Sequence, residues 1–237
     1  MQLDAIWNRA RADLVATTEH GDEDVFLWEH AVRVAENARR IAMLPVVQEA
    51  SPDETAVVAA ALYHDAGWIV RLRNGEIKRD EILIRPMSES HREQGAALME
   101  RSLSPSLSRD SLTRASQAIR ALNDRGIEPI EGQVVCEADN LEEFGVLSLW
   151  STIRRSAIDG KGVQTLLETW RRRKEYRFWE ARLNDSFRFA AVRAVAERRL
   201  EQFESLMEEL ERQHKGVDLG LDLAPSPADR LARSTKP

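Results

Sequence analysis

The sequence predicts an all-α fold, a helical bundle with additional long C-terminal helices. Three observations carry this. Apolar residues recur at three- and four-residue spacing along most of the chain, the stripe of an amphipathic helix. Only 11 Gly and 8 Pro interrupt the 237 residues, and they fall between the periodic segments. One segment, Thr55 to Asp65, is small and apolar all round, as a helix at the centre of a bundle is.

Residues 2–17 read as a first helix with Leu3, Ile6, Trp7, Leu14 and Val15 on one stripe. Asp22 and Asp24 are N-cap candidates for a second helix that runs to Leu44, where Pro45 stops it. Its buried face is Leu27, Ala31, Val34, Ala38 and Ile41. Ser51 and Pro52, then Asp53 and Glu54, start the central helix: a cap, a first-turn proline and acids against the dipole. Gly67 ends it. Asn74-Gly75, between Trp68–Leu72 and Ile77–Ile84, predicts a tight turn and a short hairpin. Ser88 caps a helix to Leu103, residues 104–110 form a Ser- and Pro-rich link, and a helix follows over 111–123. Gly126 and Pro129 break the chain before helices over 130–144 and 146–158. Gly160 and Gly162 separate these from two long charged helices, 163–183 and 186–213. The second has Phe187, Ala191, Ala194, Leu200, Phe203, Met207 and Leu210 facing one way. The expected organisation is a helical core over 1–160, C-terminal helices over 161–213 packed on the same domain, and a flexible tail over 214–237 carrying Pro225, Pro227 and Pro237.

Composition limits the function. A net charge of −6 excludes a broad electrostatic grip on nucleic acid polymers, but leaves room for a local basic pocket. The single cysteine, Cys136, excludes an internal disulfide framework and a multi-cysteine zinc cluster, and it fits a reducing compartment. No stretch reaches the roughly 18 apolar residues of a spanning helix. Asp4, Arg9, Arg11 and Asp13 leave no apolar signal-peptide core, so the expected location is the cytoplasm. The Arg171–Lys174 run reads as a solvated helix face balanced by Glu168, Glu175 and Glu180. The six tryptophans, including Trp150, Trp170 and Trp179, read as packing anchors.

Five histidines can be weighed one by one. His20 and His214 lie in polar surroundings. His30 adjoins the apolar stripe of its helix; a lone histidine there is ordinarily a core residue with a hydrogen-bond partner. His64-Asp65 ends the central apolar helix, where an unpaired imidazole and carboxylate are costly to bury. A cation shared by both offsets that cost, and this donor pair suits a borderline divalent metal. Asp139 adjoins the inward face of Val134, Val135, Ala138 and Leu141.

His30, His64-Asp65 and Asp139, each on its own helix, resemble the HD-domain superfamily of metal-dependent phosphohydrolases. The local wording is similar too: His30-x-x-Arg33-Val34, Ala60-Ala61-Leu62-Tyr63-His64-Asp65-Ala66-Gly67, and Ala138-Asp139-Asn140-Leu141-Glu142-Glu143-Phe144-Gly145. The resemblance spans about residues 24–145. It implies one divalent ion (Mn, Fe, Co, Ni, Zn or Mg, not distinguishable) held by His30, His64, Asp65 and Asp139, and a small phosphorylated substrate. It further implies catalytic roles for Asp65, His91 and Arg33, and substrate contacts from Arg33, Arg71 and Arg92. Where two-metal members carry a further histidine, this chain has Leu122 and Asn123, so one metal is expected. Where some members carry an acid after the His-Asp pair, it has Trp68 and Ile69; Asp80, Glu81, Glu89 and Glu93 are candidate replacements. The implied activity is phosphohydrolysis by metal-activated water. The alternatives are an HD-type di-iron oxygenase and a non-catalytic metal- or nucleotide-binding module. No membrane partner is expected. A homodimer through the C-terminal helices is.

Overall fold

The computed structural model describes residues 2–83, 88–122 and 126–219, with twelve α-helices among them. Helix α1 (Gln2–Leu14) leads into a two-stranded antiparallel ribbon, β1 (Ala16–Thr17) with β2 (Glu23–Asp24), paired Ala16 to Asp24 and Thr17 to Glu23. Then come α2 (Phe26–Ala42), α3 (Pro45–Gln48), α4 (Glu54–Tyr63) and α5 (Gly67–Arg73). A 3₁₀ turn at Arg79–Glu81 precedes α6 (Glu89–Leu103), α7 (Arg109–Ala121) and α8 (Ile130–Glu142). The C-terminal part is α9 (Leu147–Ile158), α10 (Val163–Glu175), α11 (Phe178–Ser186), α12 (Ala190–His214) and a 3₁₀ turn at Val217–Leu219. The tail proline positions and Asn123 lie outside the described residues.

The bundle is organised around α4. Every residue from Ala56 to Tyr63 is buried, and the helix packs against α1, α2, α6, α7 and α8. Small side chains let this many helices approach one another. Asp53, rather than Ser51, is the N-cap: its Oδ1 accepts the N–H groups of Thr55 (2.9 Å) and Ala56 (3.1 Å). Ser51 takes a left-handed turn, φ 51°, ahead of it.

Gly67 does not end the helical run but opens α5 after a three-residue turn at 64–66. A Cβ there would collide with the His91 carbonyl, so this glycine sets the close approach of α6 to α5. The hairpin expected at Asn74-Gly75 is not formed. These residues cap α5, with Gly75 at φ 72° donating to the Leu72 carbonyl at 3.0 Å, and residues 76–83 contain no strand. The apolar residues within 68–72 that suggested a strand lie on α5, with Trp68 and Ile69 buried.

The helix expected over 163–183 is two, broken at Arg177, whose φ is 53°. On α12 the buried residues are Val192, Ala196, Phe203 and Met207, a stripe displaced from Ala191, which is exposed. An aromatic cluster joins this part to the bundle. Phe144, just past α8, meets Trp179 edge-on at 5.5 Å and Phe187 at 5.4 Å; Trp170 meets Phe203 at 4.9 Å. Trp150 is no anchor, at 61% exposure. No helix among the described residues is long and apolar enough to cross a membrane.

Candidate metal centre

The three distant segments converge. His30 comes from α2, His64 and Asp65 from the end of α4, and Asp139 from α8, and α4 packs against both other helices. His30 Nε2 lies 3.2 Å from His64 Nε2. Asp65 Oδ2 lies 3.5 Å from each of these nitrogens, and Asp139 Oδ1 also 3.5 Å from each.

These separations test whether the residues fit an ion. Nitrogen and oxygen ligands bind a zinc-like cation at about 2.0–2.2 Å, which puts tetrahedral ligand atoms ~3.4 Å apart. The five separations above match that spacing; His30, His64 and Asp65 close on one another as a group able to hold an ion, and Asp139 reaches both imidazoles. The His64 ring is oriented for it: Nδ1 lies 2.7 Å from the Ala61 carbonyl, which accepts its proton and leaves the Nε2 lone pair facing the quartet. Two imidazole and two carboxylate donors make a fit for one borderline divalent cation. Electrostatics favour positive charge here. Burial pushes the His64 pKa down, yet Asp65, Asp139 and the Ala61 carbonyl more than reverse this and raise it to about 10. Burial likewise opposes ionisation of Asp139, but His64, His30 and Arg182 hold its carboxyl below the usual range.

The quartet opens on a groove of about 670 Å³ between the bundle and the C-terminal helices. Arg92 lines this groove. Arg33 does not; its Nε donates to Glu142 Oε2 at 2.6 Å. His91 and Arg71 are also absent from the lining among the described residues. His91 is buried, stacks on Trp68 at 5.1 Å, accepts the Ser88 N–H on Nδ1 at 2.9 Å and meets the Arg71 guanidinium through Nε2. Burial and Arg71 push the His91 pKa down. Sequence reasoning thus placed His91, Arg71 and Arg33 in the pocket, whereas capping, stacking and ion pairing occupy their side chains.

None of the four candidate replacement acids lines the groove: Glu93 pairs with Arg120 at 2.6 Å, Glu81 accepts the Lys78 N–H at 2.8 Å, Glu89 is exposed, and Asp80 Oδ1 is buried without a hydrogen-bond partner among the described residues. Glu142, to which sequence reasoning assigned no role, does line the groove, 3.9 Å from His30 Nδ1. The signal for it was available, because Glu142 stands three residues after Asp139 on one helix face. Leu122 lines the groove as an apolar surface.

The HD domain family profile matches residues 27–143, a span that holds all four converging residues. This is an HD-domain protein. No curated protein matches the chain. Among solved structures, Bacillus subtilis YpgQ in complex with ADP is similar at TM-score 0.56 and 20% identity, covering 92% of this chain and 97% of that one. A predicted HD superfamily hydrolase from an uncultured Thermotogales bacterium is similar at TM-score 0.53 and 20% identity, covering 89% and 91%. A Lactobacillus plantarum protein gives TM-score 0.52 and 19% identity over 91% and 97%. These likenesses extend the shared fold beyond residue 143, over the C-terminal helices of this HD-domain protein.

Proposed function

We propose that this HD-domain protein is a metal-dependent phosphohydrolase acting on a nucleotide or another small phosphorylated metabolite. The observation that carries the reading is the approach of the Asp65 and Asp139 carboxylates, each at 3.5 Å, to two adjoining imidazoles at the wall of a groove large enough for a small molecule. His30, His64, Asp65 and Asp139 would hold one divalent cation. When bound, such an ion lowers the pKa of its water toward 7 and so supplies hydroxide at neutral pH. The chain contributes the rest. Ala61 fixes the His64 tautomer. Arg33 holds Glu142 beside His30, where its carboxylate is placed to take a proton from water in the groove. Arg92 offers a guanidinium to phosphoryl oxygens. YpgQ was crystallised with ADP, which makes nucleotides the first substrate class to test here. With Leu122 facing the groove, a second metal, and with it the di-iron oxygenase reading, is disfavoured.

The test is turnover of nucleoside mono-, di- and triphosphates with Mn, Co, Ni, Zn or Mg added. Phosphate or pyrophosphate release by the wild type, lost at least a hundredfold in a folded Asp65→Ala variant, is expected. A wild type that binds metal yet cleaves no phosphate ester or anhydride would overturn hydrolysis in favour of a binding module.

A further inference from the structure

We infer that Arg155, Arg172 and Arg173 form a second anion subsite across the groove from the metal quartet, so that the substrate carries phosphoryl groups joined in a chain rather than a single one. The assignment of the scissile phosphoryl group rests on the hydrolase reading; the binding itself does not.

Charge accounting along the groove comes first. Away from the quartet its walls carry Glu142, Glu143 and Asp159. Each is already matched: Glu142 by Arg33 at 2.6 Å, Glu143 by Arg182 at 2.6 Å, Asp159 by Lys161 at 2.6 Å. No carboxylate pairs with Arg155, Arg172 or Arg173 among the described residues; Arg155 reaches the Leu83 carbonyl at 3.4 Å. The contrast with their neighbours is informative. In the run Arg171–Lys174, Arg171 pairs with Glu211 (2.9 Å) and Lys174 with Glu204 (3.4 Å), both on α12. The two middle residues turn to the groove instead. The run is therefore not the balanced, solvated face its composition suggested.

The three guanidiniums also act on one another. Arg173 is half-buried over the rings of Phe178 (5.0 Å) and Trp179 (5.7 Å). Burial, then Arg155 and Arg172, depress its pKa, with Glu143 opposing. Glu143 is itself paired with Arg182 at 2.6 Å, so it offsets this crowding only in part; like charges gathered beside apolar walls repel one another, and an anion relieves that repulsion. Guanidinium forks match phosphate oxygens in geometry as well as charge.

The orientation of α9 is the second, independent observation. Ser148, Ser151, Thr152, Arg155 and Ser156 line the groove, while Trp150 (61% exposed) and Ile153 (44%) point to solvent. Leu147 is the one apolar residue of α9 on this wall, and Leu149 packs against the core; a groove face made mainly of hydroxyls and a guanidinium suits a hydrated, polar ligand.

The experiment measures equilibrium binding of inorganic tripolyphosphate and of inorganic phosphate to the full chain without added metal. Tripolyphosphate is expected to bind at least tenfold tighter than phosphate, and an Arg155→Gln/Arg172→Gln double variant to lose at least tenfold of that affinity. Both residues are exposed, so folding is not at stake. An Arg171→Gln/Lys174→Gln control keeps wild-type affinity. Equal loss in both double variants, or no preference for tripolyphosphate, overturns the subsite. In the metal-loaded protein, KM for a nucleoside triphosphate rises at least tenfold in the first double variant. Tripolyphosphate preference without any turnover leaves the subsite standing and removes the hydrolase reading. Turnover without that preference removes the subsite alone.

Discussion

At His64 a proton and a metal compete for one lone pair. Burial favours the neutral ring, but Asp65, Asp139 and the Ala61 carbonyl raise its pKa to about 10 in the metal-free chain. A histidine pKa raised above the ordinary 6.5 contributes stability that is full below pH 6.5 and is lost as pH rises toward 10. Metal binding runs the other way, since the ion displaces the proton. Thermal unfolding should therefore show the metal-free protein losing Tm from pH 6.5 upward, while the increment from added Zn or Mn grows over the same range. With metal at a hundredfold over its Kd, that increment should be roughly 5–10 °C. Asp65→Ala should abolish it. A metal increment that shrinks with rising pH would contradict a lone pair shared in this way. At this scale burial alone singled out His64-Asp65, an imidazole and a carboxylate costly to bury unpaired; the convergence of His30 and Asp139 with them was legible only through the resemblance to the HD pattern. The occupations of Arg33, Arg71 and His91 were not legible. Long and rotatable side chains choose between a ligand and a protein partner by geometry that only the packed neighbours set.

Among the elements, the α5–α6 contact depends on one missing methyl group. Gly67 stands against the His91 backbone, which cannot yield as a flexible side chain would. Gly67→Ala should cost about 1–3 kcal/mol in urea unfolding, by overpacking, and should weaken metal binding as well, since Asp65 is two residues away. Asp24 is the second element-level device. Its carboxylate accepts the Phe26 N–H at the start of α2 (3.1 Å) and pairs with Arg79 (2.6 Å) and with Arg154 of α9 (3.7 Å). Burial raises its pKa, but Arg79, the Phe26 N–H and Arg154 outweigh it and hold the carboxyl below its ordinary 3.8. A depressed carboxyl stabilises above its unfolded value and stops doing so as pH falls through the folded one. Asp24→Asn should therefore cost about 1–3 kcal/mol at pH 7 and little once pH falls below that of the wild-type carboxyl. Equal destabilisation at both pH values would show that charge is not what Asp24 supplies. The helices themselves were legible where a cap stood ahead of a period, as at Ser88, and along α2 from its period alone, since its N-cap is Val25 rather than Asp22 or Asp24. The new start at Gly67 and the break at Arg177 were not. A glycine required by a neighbouring helix reads like a stop, and a left-handed arginine carries no local mark.

Taken whole, the molecule has its groove only because the C-terminal helices dock on the bundle. Phe144 is the joint: it is 1% exposed and touches both Trp179 and Phe187. Glu137 on α8 reinforces it by accepting the N–H groups of Arg188 and Phe189 ahead of α12. Two regions that share a core in this way unfold as one, whereas regions joined by a polar contact unfold separately. Calorimetry should then show a single transition, and Phe144→Ala should lower its stability by about 3–5 kcal/mol without splitting it. The same substitution should weaken tripolyphosphate binding, because Arg172 and Arg173 reach the groove on a helix that Phe144 helps to seat through Trp179. A second, unmoved transition would assign the bundle its own stability. The cationic wall would then be a separate body that meets the metal quartet only when docked.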